Sequence, residues 1–409
     1  MTSKKMRSKI NYKSMIQNRD IVVVGLQPWD VEIGSNCKNI AIEFSKQNRV
    51  LYVNSPLDRI TLLRNRDDAK IRKRIEVINQ KADSLVKISD NLWNCFPDKI
   101  AESINWIKNE KIFDIFNRLN NRRFAVSIKK AINTLGFKDI LLFNDNDIFR
   151  SFYLKDILKP SKSIYYSRDF LLSVDYWKHH GKKLEPMLIA KSDVCVANST
   201  YLADYCKKYN TNSFYVGQGC ELDIFTDFAG SVPEDISKIS QPVIGYVGAL
   251  QSIRLDIDLL MNIAAKKPEW NIVLVGPEDR EFKVSKLHNY TNVHFLGSKQ
   301  PEQLPAYINT FGVCLNPQLV NNVTIGNYPR KIDEYLAMGK PVVATGTQAM
   351  SIFENHVYLG KTPDDYISLI EKAMNENSEN LQQKRKLFAS AHSWENSVKE
   401  IYRALAIAR

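Results

Sequence analysis

Asn327-Tyr-Pro-Arg-Lys-Ile-Asp-Glu-Tyr-Leu-Ala-Met-Gly-Lys-Pro-Val-Val-Ala-Thr345 is the stretch whose reading decides the fold. An Asn-containing loop runs into Pro329, two cations follow at Arg330 and Lys331, an acid stands at Glu334, and Gly339 precedes a Pro-led apolar run. Pro at a first helical turn sacrifices no hydrogen bond and Gly just past the last turn ends the helix, so the pattern predicts loop, helix and strand in that order. A helix opening at Pro329 would present free backbone N–H groups beside the two cationic side chains, and the expected ligand of such an end is an anion such as phosphate.

Working outward, the segment closes a regular alternation of short apolar strands and helical patterns. Strands are expected at Val243 to Val247, Asn271 to Val275, Val293 to Leu296, Phe311 to Leu315 and Pro341 to Ala344, with helices at Leu255 to Lys267, Phe282 to Tyr290 and Pro301 to Ile308 between them. Such alternation requires a parallel sheet covered by helices on both faces. The same grammar opens the chain. Ile21 to Val24 and Arg49 to Val53 flank the amphipathic segment Lys38 to Lys46, and further strand-like runs occur at Leu85 to Ile88, Ile140 to Phe143, Ser163 to Tyr166, Val194 to Ala197 and Phe214 to Val216, with an irregular insertion around 57–80. The expected organisation is an N-terminal domain over 1–222, a linker over 223–242, a C-terminal domain over 243–393 and an amphipathic terminal helix over 394–409.

The tail of the opening stretch, Glu334-Tyr-Leu-Ala-Met-Gly-Lys-Pro-Val342, resembles the donor-binding motif of retaining GT-B glycosyltransferases of the family 4 type, in particular the subgroup acting on teichuronic acid and other surface polysaccharides. The resemblance is strong over about 185–400 and implies an α/β GT-B fold, two Rossmann-like doubly wound domains facing across a cleft. It also implies a nucleotide-diphosphate sugar as co-substrate, a glycan or lipid-linked acceptor, and neither cofactor nor metal. The first Glu of the family pattern falls on Gly326, and the Arg of its Gly-Arg pair after the first strand falls on Ala249.

On that resemblance Lys331 would neutralise diphosphate, Glu334 would accept from the donor ribose, and Arg254 would substitute for the arginine missing at Ala249. The donor side would be completed by Gly248, Gly276, Ser298, Gly326, Asn327, Tyr328 and Arg330, all in loops where ligands of doubly wound sheets bind. On the acceptor side stand Gly34 and Ser35 before the first helix, Asp145 after its strand, and Arg168 with Asp169 after Tyr165-Tyr166; Arg168 and Asp169 are candidates near the reacting carbon, Asp169 as a catalytic residue. No Gly-x-Gly-x-x-Gly, no Gly-x-Ser-x-Gly and no His or Cys set at metal-ligand spacing is present, which disfavours dinucleotide redox chemistry, covalent hydrolysis and a structural zinc. The rival readings are a catalytically silent glycan-binding or scaffold subunit of the same fold, and a nucleotide-sugar epimerase.

Charge separates the halves. The net charge is +12, yet residues 1–220 carry 38 Lys and Arg against 23 Asp and Glu, and 221–409 carry 19 against 22. The basic excess predicts a polyanionic partner for the first half, and an anionic membrane or lipid-linked substrate is preferred to nucleic acid. Ile104 to Leu119, apolar with Lys108, Lys111 and Arg118 interleaved, is the expected membrane-facing helix. The polar start and the lack of a long apolar run predict a cytoplasmic protein, peripheral at the inner face of the membrane. Six scattered cysteines are expected to be buried and unbridged.

Overall fold

A computed structural model describes residues 16–30, 35–65, 67–226 and 228–408. The chain forms two compact units. The first comprises the described residues up to Asn198, Leu202–Val216 and the end of the chain from Ser397; the second comprises Ser199–Tyr201 and Gly217–Asn396.

In the second unit six strands, β9 (Val243–Val247), β10 (Asn271–Val275), β11 (Val293–Gly297), β12 (Val313–Asn316), β13 (Val342–Thr345) and β14 (Tyr358–Gly360), form a wholly parallel sheet ordered β11-β10-β9-β12-β13-β14. Period-two alternation divides its side chains between two cores. Val243, Val247, Val273 and Val275 face one, with Phe311, Tyr335 and Leu336, while Ile244, Tyr246, Ile272 and Leu274 face the other, with Leu260, Ile263 and Tyr366. A sheet buried on both faces explains why its strands read as unbroken apolar runs.

The first unit contains β1 (Asp20–Gly25), β2 (Arg49–Val53), β3 (Leu85–Ser89), β4 (Leu92–Cys95), β5 (Leu141–Asp145), β6 (Lys162–Ser167), β7 (Val194–Ala197) and β8 (Ser213–Tyr215), ordered β3-β4-β2-β1-β5-β6-β7-β8. All pairs are parallel except the edge pair β3–β4. The strand order reverses direction between β1 and β5 here, and between β9 and β12 in the second unit. Crevices at the carboxyl ends of such strand pairs are where open α/β sheets receive ligands.

Three expectations need correction. The insertion around 57–80 is ordered into helices Arg59–Arg64 and Ala69–Ile78, each started by an aspartate: Asp58 accepts from the Thr61 amide, and Asp68 from those of Lys70 and Ile71. The stretch 223–242 is no free tether, since Phe225 and Ile236 are buried in the second unit's core and Asp235 is held by Lys299 and Tyr307. The segment Ile104 to Leu119 is not one helix; Asn109 caps a helix that starts only at Glu110 and runs to Leu135, where Gly136 (φ 61°) ends it. β4 and β14, both short, escaped the sequence reading. All six cysteines are free and buried.

Candidate functional site

The carboxyl edge at β9 and β12 is built from glycine and strain. Gly276 leaves β10 at φ 152°, and a Cβ there would fall 2.0 Å from the Gly248 carbonyl oxygen, so the loops after β9 and β10 touch backbone to backbone. The Gly248 amide donates to Val275 O at 2.8 Å, Leu250 to Pro277 O at 2.8 Å, and Asp279 to Leu250 O at 2.9 Å. The Ser252 amide and hydroxyl donate to Asp279 Oδ2 at 2.6 and 2.9 Å, fixing the loop that carries the exposed Ala249 and the half-buried Arg254. The Arg254 carbonyl accepts from the Leu319 amide at 2.8 Å, tying this loop to the one after β12.

Lys331 reaches this edge from the motif helix. Its ammonium lies 4.9 Å over the Tyr246 ring, and a Cβ on Gly248 would lie 2.9 Å from its Cε and 3.0 Å from its Nζ. A ring quadrupole attracts a cation without neutralising it. Among the described residues Lys331, Arg330 and Arg254 join no ion pair, although the unit as a whole carries no basic excess. Arg330 Nε is buried without a hydrogen-bond partner, and so are Asn316 Nδ2 at the end of β12 and Thr347 Oγ1 just past β13. Buried unpartnered polar groups are rare in folded proteins, and three of them gather near this edge.

Glu334 is half-buried, one turn beyond Lys331, and the two do not pair with each other. Burial raises its carboxyl above the ordinary range, with Arg330 and Lys331 opposing. Its oxygens have no hydrogen-bond partner among the described residues, which leaves them able to accept from a ligand.

The opening stretch departs from expectation at two places. The motif helix runs from Lys331 to Ala337, and the amides of Ile332, Asp333 and Glu334 already donate to Pro329 O and Arg330 O at 3.0 to 3.3 Å. Those three amides are thus used inside the helix. Tyr328, expected to touch the donor, is instead buried: its hydroxyl donates to Asp333 Oδ2 at 2.7 Å, and His392 Nδ1 meets Asp333 Oδ1 at 2.6 Å. Cys220 Sγ lies 3.3 Å from the same carboxylate. Asp333 is fully buried, so these neighbours are structural partners of a buried charge. Gly326 is also buried, with its carbonyl accepting from Ser199 Oγ at 2.9 Å, and Asn327 is half-buried behind it. Ser298 is exposed at the end of the edge strand β11, two strands from β9.

On the first unit, β1, β5 and β6 bring Gly25, Asp145 and Tyr166 into register. Arg168 Nε donates to Asp145 Oδ1 at 2.9 Å and its Nη1 to Asp169 Oδ2 at 2.9 Å. Asp145 is fully buried with Oδ2 unpartnered, and burial pushes its carboxyl up although Arg168 opposes. Burial lowers the Arg168 guanidinium, but Asp145 and Asp169 outweigh it and the net shift is upward. Asp169 is half-exposed and already engaged by Arg168, so both candidates expected near the reacting carbon belong to one ion triad with Asp145. The Ser35 hydroxyl caps the helix Asn36–Ser45 by accepting from the Lys38 amide, so it is already used; Gly34 lies outside the described residues. The sequence reading missed Tyr246, Asn316 and Thr347. A polar residue ending an apolar strand was the available signal at Asn316. Among the described residues no three His, Cys, Asp or Glu gather as metal ligands.

Comparison with known proteins bears on the fold and on the second unit's sequence. Residues 241–376 match the family model described as glycosyl transferases group 1. The Bacillus subtilis protein TuaH, named as a teichuronic acid biosynthesis glycosyltransferase, is 26% identical over 238 residues, which is 55% of this chain and 60% of TuaH. The match thus spans only about 60% of that relative's length. Sucrose-phosphate synthase of Thermosynechococcus elongatus superposes with a TM-score of 0.66 at 15% identity, over 96% of this chain and 100% of its own. HepE of Anabaena, solved with UDP, gives 0.63 at 14% identity over 95% and 99%. The α,α-trehalose 6-phosphate synthase of Burkholderia multivorans gives 0.65 at 9% identity over 96% and 98%. At these identities the superpositions establish the fold: two Rossmann-like units of the GT-B class.

Proposed function

We propose that the chain transfers a sugar from a nucleotide-diphosphate donor to a glycan or lipid-linked acceptor of surface-polysaccharide synthesis, with retention of anomeric configuration and without a metal. The observation that carries the reading is the unneutralised Lys331 ammonium seated on Gly248 at the strand-order reversal, on an edge that also carries the unpaired Arg254 and Arg330. A diphosphate leaving group gathers negative charge as the sugar–oxygen bond lengthens. Fixed cations on a partly buried edge stabilise that charge more than they stabilise the bound donor, and so lower the barrier. Glu334 accepts from the donor ribose, and the Asn316 and Thr347 donors find their partners on the donor.

The test is a thermal-shift panel of UDP, GDP, ADP and dTDP with and without Mg²⁺. One nucleotide should stabilise the protein by about 2.7 kcal/mol at one hundred times its dissociation constant, and chelation should leave the shift unchanged. No shift with any of them, or a shift that requires the metal, removes the donor assignment. Turnover of the corresponding nucleotide sugar then separates an enzyme from a silent glycan-binding subunit, and the anomeric configuration of the product tests retention.

A further inference from the structure

The helix Glu110–Leu135 carries two stripes. Its buried side is Phe113, Asn117, Asn120, Asn121 and Phe124, spaced for packing on the first unit. A second set, Ile112, Ile115, Phe116 and Leu119, follows the i, i+3, i+4, i+7 rule on a different face, and Ile112 and Ile115 stay 47% and 65% exposed. Just before the helix Trp106 is 73% exposed, with its ring N–H donating to Ser103 O at 2.7 Å. Met187, 48% exposed on the helix Asp175–Lys191, meets Ile115 across a groove of about 520 Å³ whose wall includes Phe113, Phe152, Tyr153 and Leu184.

Lys111, Arg118 and Lys183 line the same groove, with further exposed cations on the two helices and just before the first. Arg118 and Lys183 are paired with Asp114 and Glu110, but Lys108, Lys111, Arg122 and Lys182 join no ion pair among the described residues. All of these residues belong to the half of the chain with the basic excess.

We infer that this face of the first unit docks on an anionic lipid bilayer, with Trp106, Ile112, Ile115 and Met187 entering the interface and Lys108, Lys111, Arg122 and Lys182 meeting lipid phosphates. An apolar stripe with a basic rim is the arrangement that binds in the plane of such an interface. Nucleic acid would leave the isoleucines against charged backbone, and a second copy joined through this face would set like charges against each other. The inference does not depend on the donor reading, since every residue in it lies in the first unit.

The test is co-sedimentation of the full chain with phosphatidylglycerol-containing vesicles and with phosphatidylcholine vesicles over a salt series. Binding should need the anionic lipid and weaken at least about tenfold between roughly 0.05 and 0.5 M salt, as screening shortens the reach of charge. Replacing Lys108, Lys111 and Lys182 together by Gln should lower the partition coefficient about a hundredfold, at about fivefold per lysine. Ile112→Ser with Ile115→Ser, which leaves the charge intact, should lower it about tenfold or more. Both variants alter exposed side chains and should keep the parent melting temperature. Trp106→Phe should remove most of the fluorescence quenching by brominated lipid. Binding indifferent to lipid charge or to either variant, tighter binding to an RNA or DNA oligonucleotide than to vesicles, or a dimer abolished by the isoleucine variant would overturn the inference.

Discussion

The two strand-order reversals hold the same kinds of residue in opposite states. At β5 and β6 of the first unit, Arg168 is locked between Asp145 and Asp169. At β9 and β12 of the second, Lys331, Arg330 and Arg254 join no ion pair among the described residues, and Glu334 is near enough to Arg330 and Lys331 only for them to oppose the rise of its carboxyl. A cation already paired with buried acid stabilises the fold and has little charge left for a ligand, whereas an unpaired cation at a sheet edge costs stability and keeps its field for what binds there. Paired charge and unpaired charge are thus separated between the two edges.

The contrast breaks first if Arg168 is removed. Arg168→Met should destabilise the chain by about 3–5 kcal/mol, because fully buried Asp145 loses its partner, while Lys331→Met should leave urea stability within about 0.5 kcal/mol. Equal losses would mean that the two edges do not differ in kind. Next in size is Gly276→Ala, whose methyl would collide with the Gly248 carbonyl; about 3 kcal/mol of stability should go, and donor binding with it.

The third test concerns a buried acid of the first unit. Glu185 accepts from Tyr165 Oη at 2.8 Å and Tyr205 Oη at 3.2 Å, and burial pushes its carboxyl to about 7. The unfolded chain releases this proton near the ordinary glutamate value and the folded chain only near neutrality, so between the two the native state holds more protons and rising pH removes stability. The loss is complete above about 7. Relative to Glu185→Gln, the parent should lose about 2 kcal/mol from roughly pH 5 to 8. Parallel stability curves for the two proteins would place the ionised carboxylate in a more polar setting.

The smallest expected effect sharpens the comparison on the side of activity. Lys331→Ala, Arg330→Ala and Glu334→Ala should each reduce transfer about tenfold, the value of one charge-assisted hydrogen bond in the transition state. Full activity in all three, measured beside unchanged melting temperatures, would return these residues to ordinary surface charges.

Much of the fold was legible because both sheets are buried on both faces, which forces continuous β-branched runs such as Val243–Val247 and Asn271–Val275 into the sequence. Short strands lacked that signal. Leu92–Cys95 and Tyr358–Gly360 mix polar residues into three or four positions, and only their neighbours define them as strands. At the site, the spacing of Lys331 and Glu334 on one short helix could be read directly, since helical periodicity is local. The burial of Tyr328 could not, because it depends on Phe353 and His392, far away in the chain.

By itself the sequence determined what local chemistry can carry: the alternation of strand and helix, the glycine and proline punctuation, the cations beside the motif helix and the basic bias of the first half. Tertiary structure decided which of those charges are neutralised. Arg168 and Arg330 are alike as residues, and only packing put the first in ion pairs with two carboxylates and left the second in none among the described residues. Pairing is a property of distances across the fold, and no run of neighbouring residues encodes it.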